Sequence, residues 1–208
     1  MGRPKVHDDK LRVRLLERAG ELLSERGHGA LSLRKIASDV GSSTTAVYSL
    51  FGGKPELLRA MQAEAFTRFA EHLERVKPTD DPLADLHELA MAYRRNALAN
   101  PHFYAAMFDG TLAEFEPNAA EPTRAFNILL DRVERANVAG VFVDAQSEEI
   151  ALAVWGYAHG MVSLELNNCL PDGLDVASNY ERAMWRSIQG WLKPPHTGDR
   201  RHRPSRAR

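Results

Sequence analysis

Cysteine is nearly absent: Cys169 is the only one in 208 residues. No disulfide can close within the chain, and a reducing, cytoplasmic setting is expected. No apolar run reaches the roughly 20 residues that a membrane span needs, and no apolar signal segment opens the sequence. Neither membrane insertion nor export is expected. Several catalytic signatures are missing too: a Gly-x-Ser-x-Gly elbow, a Gly-x-Gly-x-x-Gly turn, a phosphate loop and a His-Glu-x-x-His pair. The eight histidines, His7, His28, His72, His87, His102, His159, His196 and His202, are scattered, and none has metal-ligand spacing with the cysteine. No enzyme activity, metal or cofactor is expected. There is no internal repeat and no convincing alternating strand. The valine-rich 138–143 segment reads as a loop.

What remains is helical periodicity over a chain that is 44% apolar. Leu11, Leu15, Ala19, Leu22 and Leu23 form one stripe over 8–26. Asp8 and Asp9 favour the helix start, and Gly27 and Gly29 end it. Pro55 and Glu56 open a long helix to about Val76, striped by Leu57, Leu58, Met61, Ala65, Phe69 and Leu73. Asp81 and Pro82 start another, to about Ala99. A short helix follows near 102–109, a loop over 110–120, and a helix over 121–137. Long helices are predicted from Ser147 to about Asn168 and from Leu174 to about Leu192, stopped by Pro194 and Pro195. The fold class is all-α with about nine helices. The domains are 1–54, 55–195 and a disordered basic tail, 196–208.

The most informative stretch is 32–54. Leu33, Ile36, Ala37 and Val40 line one face of a short helix, and Ala46, Val47, Leu50 and Phe51 anchor the next. Gly41 sits at the sharp turn between them, and Ser42 or Ser43 can cap the second helix. The remaining face carries Arg34, Lys35, Ser43, Thr44, Thr45, Tyr48, Ser49 and Lys54. Short hydrogen-bonding side chains flanked by cations equip a helix-turn-helix for a DNA major groove. Thr44, Thr45 and Ser49 are the candidates for base edges. Tyr48 and Lys54 suit phosphates, with the start of the Lys54 helix adding amide donors. Arg34 and Lys35 reach the backbone, and Arg34 also a base. Gly2-Arg3-Pro4-Lys5 is either a minor-groove arm or a start without defined contacts.

These residues resemble the TetR family of transcriptional regulators. The match runs through the small-residue cap, the polar pair, Ala46-Val47-Tyr48, and Phe51-Gly52-Gly53-Lys54-Pro55-Glu56-Leu57-Leu58, over roughly residues 8–60. Thr45 and Leu50 stand where many relatives carry glycine and histidine. The segment Trp155 to Leu166 resembles the Trp-His-Gly motif of one TetR C-terminal class. The resemblance implies phosphate roles for Tyr48 and Lys54. It also implies a helical body for dimerisation and ligand sensing, and repression as the default mode.

Charge fits this division. Residues 1–54 carry ten Lys/Arg against six Asp/Glu, residues 55–195 twelve against twenty-one, and residues 196–208 five against one. A basic head on an acidic body orients toward DNA. The last two helices are apolar nearly all round. They form either a homodimer's four-helix interface or the core of a monomer. A two-fold axis would make the operator a near-palindrome. Tyr93, Phe103, Met107, Phe108, Phe126, Asn127, Trp155 and His159 are the candidate walls of a site for a small hydrophobic or amphipathic effector, with His159, Tyr93 or Asn127 orienting it. The alternatives are plain core for the aromatics and a core or interface role for His159. Effector binding would release DNA with a coupling of roughly 1–3 kcal/mol. Two other readings stay open: a nonspecific architectural DNA binder, and a ligand-binding protein with a degenerate head.

Overall fold

A computed structural model describes residues 5–26, 31–108 and 120–194. The Gly2-Arg3-Pro4 part of the arm, the Gly27–Gly29 turn, most of the 110–120 loop and the basic tail lie outside the described residues. Among the described residues there are nine helices and no strand, so the all-α expectation holds. They are α1 (Lys5–Arg26), α2 (Leu33–Asp39), α3 (Thr44–Phe51), α4 (Lys54–Glu74), α5 (Pro82–Ala99), α6 (Pro101–Phe108), α7 (Ala120–Val138), α8 (Ser147–Leu166) and α9 (Val176–Gln189).

Helix α1 begins at Lys5, earlier than its aspartates suggested, and places Asp8 in its first turn. Leu15, Leu16, Ala19 and Leu22 are fully buried on its inner face. That face braces α2 and α3 and also packs on α6 and α4. Arg68 clamps this junction. It bonds Glu64 at 2.7 Å on its own helix, reaches Glu17 of α1 at 3.3 Å, and lies 4.6 Å from the Phe103 ring centre of α6.

In the body, Asp81 caps α5 by accepting from Leu83 N and Ala84 N, both at 3.0 Å. The turn before it is held by Asp85, whose carboxylate takes the Thr79 N–H, the Thr79 hydroxyl and the Arg135 guanidinium of α7. Helix α9 ends at Gln189, three residues short of the predicted Leu192. The chain beyond it leaves helical geometry to pair with the 141–143 segment: Val143 N donates to Trp191 O at 2.8 Å and Lys193 N to Val141 O at 3.0 Å. The valine-rich loop is therefore a loop with one antiparallel bridge, between Phe142 and Leu192. Helix α8 closes at Leu166, two residues before the predicted end, where Asn168 turns to φ +54°.

Candidate nucleic-acid interface and effector cavity

The head is built by local rules. Ser32 caps α2, and Ile36 and Ala37 face inward. The turn at Gly41 has φ +69°, a left-handed conformation that costs a side chain-bearing residue energy and glycine little. Of the two candidate serines, Ser43 is the cap: its hydroxyl accepts from Ala46 N at 3.1 Å. Val47 and Phe51 are buried and fix the rotation of α3 about its axis. The guanidinium of Arg12 lies 5.2 Å from the Phe51 ring centre and covers it. Gly52, at φ +89°, turns the chain from α3 into α4.

With α3 so rotated, Ser43, Thr45, Tyr48 and Ser49 are exposed and Thr44 is half-buried. Tyr48 is 55% exposed, unusual for a tyrosine with no packing role. Arg34 is exposed on α2. Lys35 is half-buried and lies 3.1 Å from Asp39, which also takes a 2.8 Å bond from Arg18. These bonds, Arg18 first and then Lys35, hold the Asp39 carboxyl below its ordinary pKa. Lys54 is the first residue of α4 and half-buried. No side chain caps α4, but a Cβ at Gly53 would stand 2.9 Å from Glu56 Oε2, so a carboxylate already leans over the amides expected to meet phosphate. A phosphate at that helix start must displace Glu56 to reach those amides.

In the body, α4 to α8 enclose a cavity of about 80 Å³. Its walls are Phe66, Phe69 and Leu73 of α4, Leu86, Leu89, Ala90 and Tyr93 of α5, Met107 and Phe108 of α6, Ala125, Phe126 and Leu129 of α7, and Val154, Trp155 and Ala158 of α8. Edge-on aromatic pairs shape it, Phe69 with Tyr93 at 5.1 Å and Phe66 with Phe108 at 6.3 Å. Of the eight residues expected at an effector site, Tyr93, Met107, Phe108, Phe126 and Trp155 line this space. Phe103 is buried outside it, under Arg68. Asn127 points to the surface, into a charged cleft with Glu74, Arg124 and Asp131. His159 stands behind the wall and contacts Tyr93 and Tyr104. Burial raises the pKa of both tyrosines, that of Tyr104 to about 12, and lowers that of His159.

The α4 wall was missed in the sequence. Its signal was present: Phe66, Phe69 and Leu73 fall at i, i+3 and i+7, two large rings on one face. Tyr104 was also missed, although it shares a face with Phe108 four residues on.

Helix α8 leaves a second face uncovered. Leu152, Tyr157 and Leu164 are 59%, 43% and 45% exposed. Gly156 and Gly160 lie open between them, where an added Cβ would meet no atom within 4 Å.

Two family models match the chain. That of the tetR family of bacterial regulatory proteins matches residues 15–61, and that of the tetracyclin repressor-like C-terminal domain matches residues 86–186. The HTH-type transcriptional regulator Rv1816 of Mycobacterium tuberculosis is 26% identical over 156 residues, 73% of this chain and 62% of the relative. The chain thus spans about three fifths of the length of the mycobacterial relatives it matches. A TetR family transcriptional regulator from Thermus thermophilus, PfmR, superposes with a TM-score of 0.66 at 25% identity, covering 87% of this chain and all of the other. A TetR family regulator from Marinobacter aquaeolei shares the fold at 0.75 and 19% identity, covering 92% of this chain and 100% of its own. Both halves are matched, head before body, in the order the helices are laid down here, and the chain belongs to the TetR family of transcriptional regulators.

Proposed function

We propose that the protein is a cytoplasmic, homodimeric repressor that binds a near-palindromic operator and is released by a small hydrophobic effector. The observation that carries this reading is the outward face of α3. Ser43, Thr45, Tyr48 and Ser49 project to solvent while Val47 and Phe51 lock the helix beneath them. A core helix has no use for such a face, whereas a major-groove reader requires one. Thr44, Thr45 and Ser49 read base edges; Arg34, Lys35, Tyr48 and Lys54 hold the backbone. The apolar α8 face supports pairing through α8 and α9, which sets two heads about one DNA turn or a small multiple apart. The cavity supports effector binding, with Tyr93, Met107, Phe108, Phe126 and Trp155 as contacts. No described helix is long and apolar enough to cross a membrane.

Selection of bound sequences from random duplex DNA tests the reading. An inverted repeat with fixed half-site spacing is expected. Binding with a steep salt dependence but no preferred sequence would overturn it in favour of an architectural DNA binder.

A further inference from the structure

The cavity that α4 to α8 enclose offers a guest no hydrogen bond. Among its wall residues only Tyr93 and Trp155 carry an N–H or O–H on the side chain, and both groups are already engaged. Tyr93 Oη lies 3.1 Å from Tyr104 Oη and 3.3 Å from His159 Nδ1, and neither partner lines the cavity. The Trp155 indole, a donor only, acts on the same oxygen. Met107 adds a thioether, a weak acceptor. The wall residues all belong to helices, whose amides and carbonyls bond one another. Among the described residues, the buried side-chain atoms left without a partner belong to Arg12, His87 and Arg132, none of them on this wall. No donor or acceptor waits here for a ligand.

Space alone would admit water, since about 80 Å³ exceeds what one molecule needs. A buried water also needs about two to four polar partners, and this wall supplies none, so the void stays dry. Atoms facing a dry void forfeit dispersion contacts that a guest of matching shape restores. Six wall residues are aromatic, Phe66, Phe69, Tyr93, Phe108, Phe126 and Trp155, and together they come from all five helices. Phe69 meets Tyr93 edge-on, as Phe66 does Phe108, a packing that one more flat ring can extend. The void is smaller than the roughly 150 Å³ of an apolar cavity that takes up benzene. One ring is therefore the upper limit, and Met107, unbranched and adaptable, is the wall residue best able to yield to it.

Resting on the cavity as the effector site, we propose that the effector is a hydrocarbon or halogenated hydrocarbon of about one small ring, with no hydrogen-bonding group. The amphipathic class expected from the sequence loses all three of its orienting residues. Asn127 faces the charged cleft, His159 stands behind the wall, and the Tyr93 oxygen is engaged there with Tyr104. A hydroxyl, a carbonyl or a ring nitrogen entering the void gives up its water and gains no partner, and a carboxylate loses more still.

Calorimetry on the full chain, in sealed cells, with benzene, pyridine and phenol tests this. Pyridine is the sharper comparison, because it keeps the shape of benzene and adds one acceptor. At pH 7.5, where pyridine is neutral, benzene is expected to bind at least about tenfold more tightly than either polar ring, the cost of leaving one polar group unpaired. Ala158→Leu puts a larger side chain on the wall and should abolish benzene binding. Should that variant fail to fold, the order of the three probes on the wild type decides alone. Pyridine or phenol binding as tightly as benzene would put a polar partner within reach and overturn this inference alone. If benzene does not bind, or binds Ala158→Leu unchanged, the cavity reading falls and the inference with it. Binding in the expected order that leaves operator affinity unchanged would overturn the effector role and leave the ligand class of the cavity supported.

Discussion

Arg94 and Glu165 are joined by two hydrogen bonds, 2.7 Å from Nε and 2.6 Å from Nη2, which fasten α5 to α8. The guanidinium also lies 5.6 Å from the Tyr180 ring centre, and Tyr180 donates to Ala90 O at 3.0 Å, so α9 is held in the same knot. The side chains are 18% and 15% exposed. Loss of either partner strands a poorly hydrated charge, which costs about 3 kcal/mol. Glu165→Ala and Arg94→Ala should each lower urea stability by about that amount at fixed protein concentration. Arg94→Met combined with Glu165→Leu should lose less than either. A double variant as unstable as the sum of the two would mean that packing, not charge pairing, dominates at this junction.

Asp85 predicts an acid limb. Burial pushes its carboxyl up, but the Thr79 hydroxyl and N–H and the Arg135 guanidinium outweigh that and leave it below the ordinary value of 3.8. A carboxyl with a depressed folded pKa stabilises the fold above its unfolded pKa. That contribution disappears as pH falls through the folded value. Thermal stability should therefore be flat above about pH 5 on this account and fall below about pH 4. Asp85→Asn should be less stable at neutral pH and show a shallower loss in that acid range. An unchanged acid limb in the variant would remove Asp85 as its source.

Lys54 and Thr44 should fail differently on DNA. Lys54→Ala is expected to weaken binding to operator and random duplex alike and to reduce the salt slope by about one ion. Thr44→Ala should cost about 1 kcal/mol at the operator and little on random DNA. Fluorescence anisotropy titrations over a range of salt separate the two. Equal losses for Thr44→Ala on both duplexes would take it out of the base-reading set.

Leu152 is the most exposed leucine of α8 and stands outside the hydrophobic core of a single chain. Leu152→Glu should leave the helical circular dichroism spectrum intact and shift the protein to monomer in light scattering. Operator affinity should fall by more than about tenfold, since one head then binds without its twin. A variant that stays dimeric places the interface elsewhere.

Legibility followed the range of the forces. The head could be read because its geometry is local: a serine cap, a glycine at positive φ and buried positions three and four residues apart all act within a few residues of each other. Ser43 and Ser42 could not be told apart, since either hydroxyl is one residue from the right place and only the turn geometry selects Ser43. In the body, periodicity revealed which residues face inward but not what they face. Phe103 and Phe108 lie on the same short helix and both avoid solvent, yet one packs under Arg68 and the other lines the cavity. Asn127 is next to Phe126 in sequence but turned to the surface of α7, a helical step that no pairwise reading of the chain could place. The Phe142–Leu192 bridge joins segments 50 residues apart and has no period to announce it.

Helix α4 runs unbroken from Lys54 to Glu74, with Lys54 at the reading end and Phe69 on the cavity wall. Fifteen residues of helix separate those two side chains, about 22 Å of stiff rod. A tilt of about 5° at the Phe69 end carries the far tip by about 2 Å, over half a base-pair rise. On the proposed function, a void no larger than a small ring would be geared, by nothing more than leverage, to the spacing on which groove entry depends.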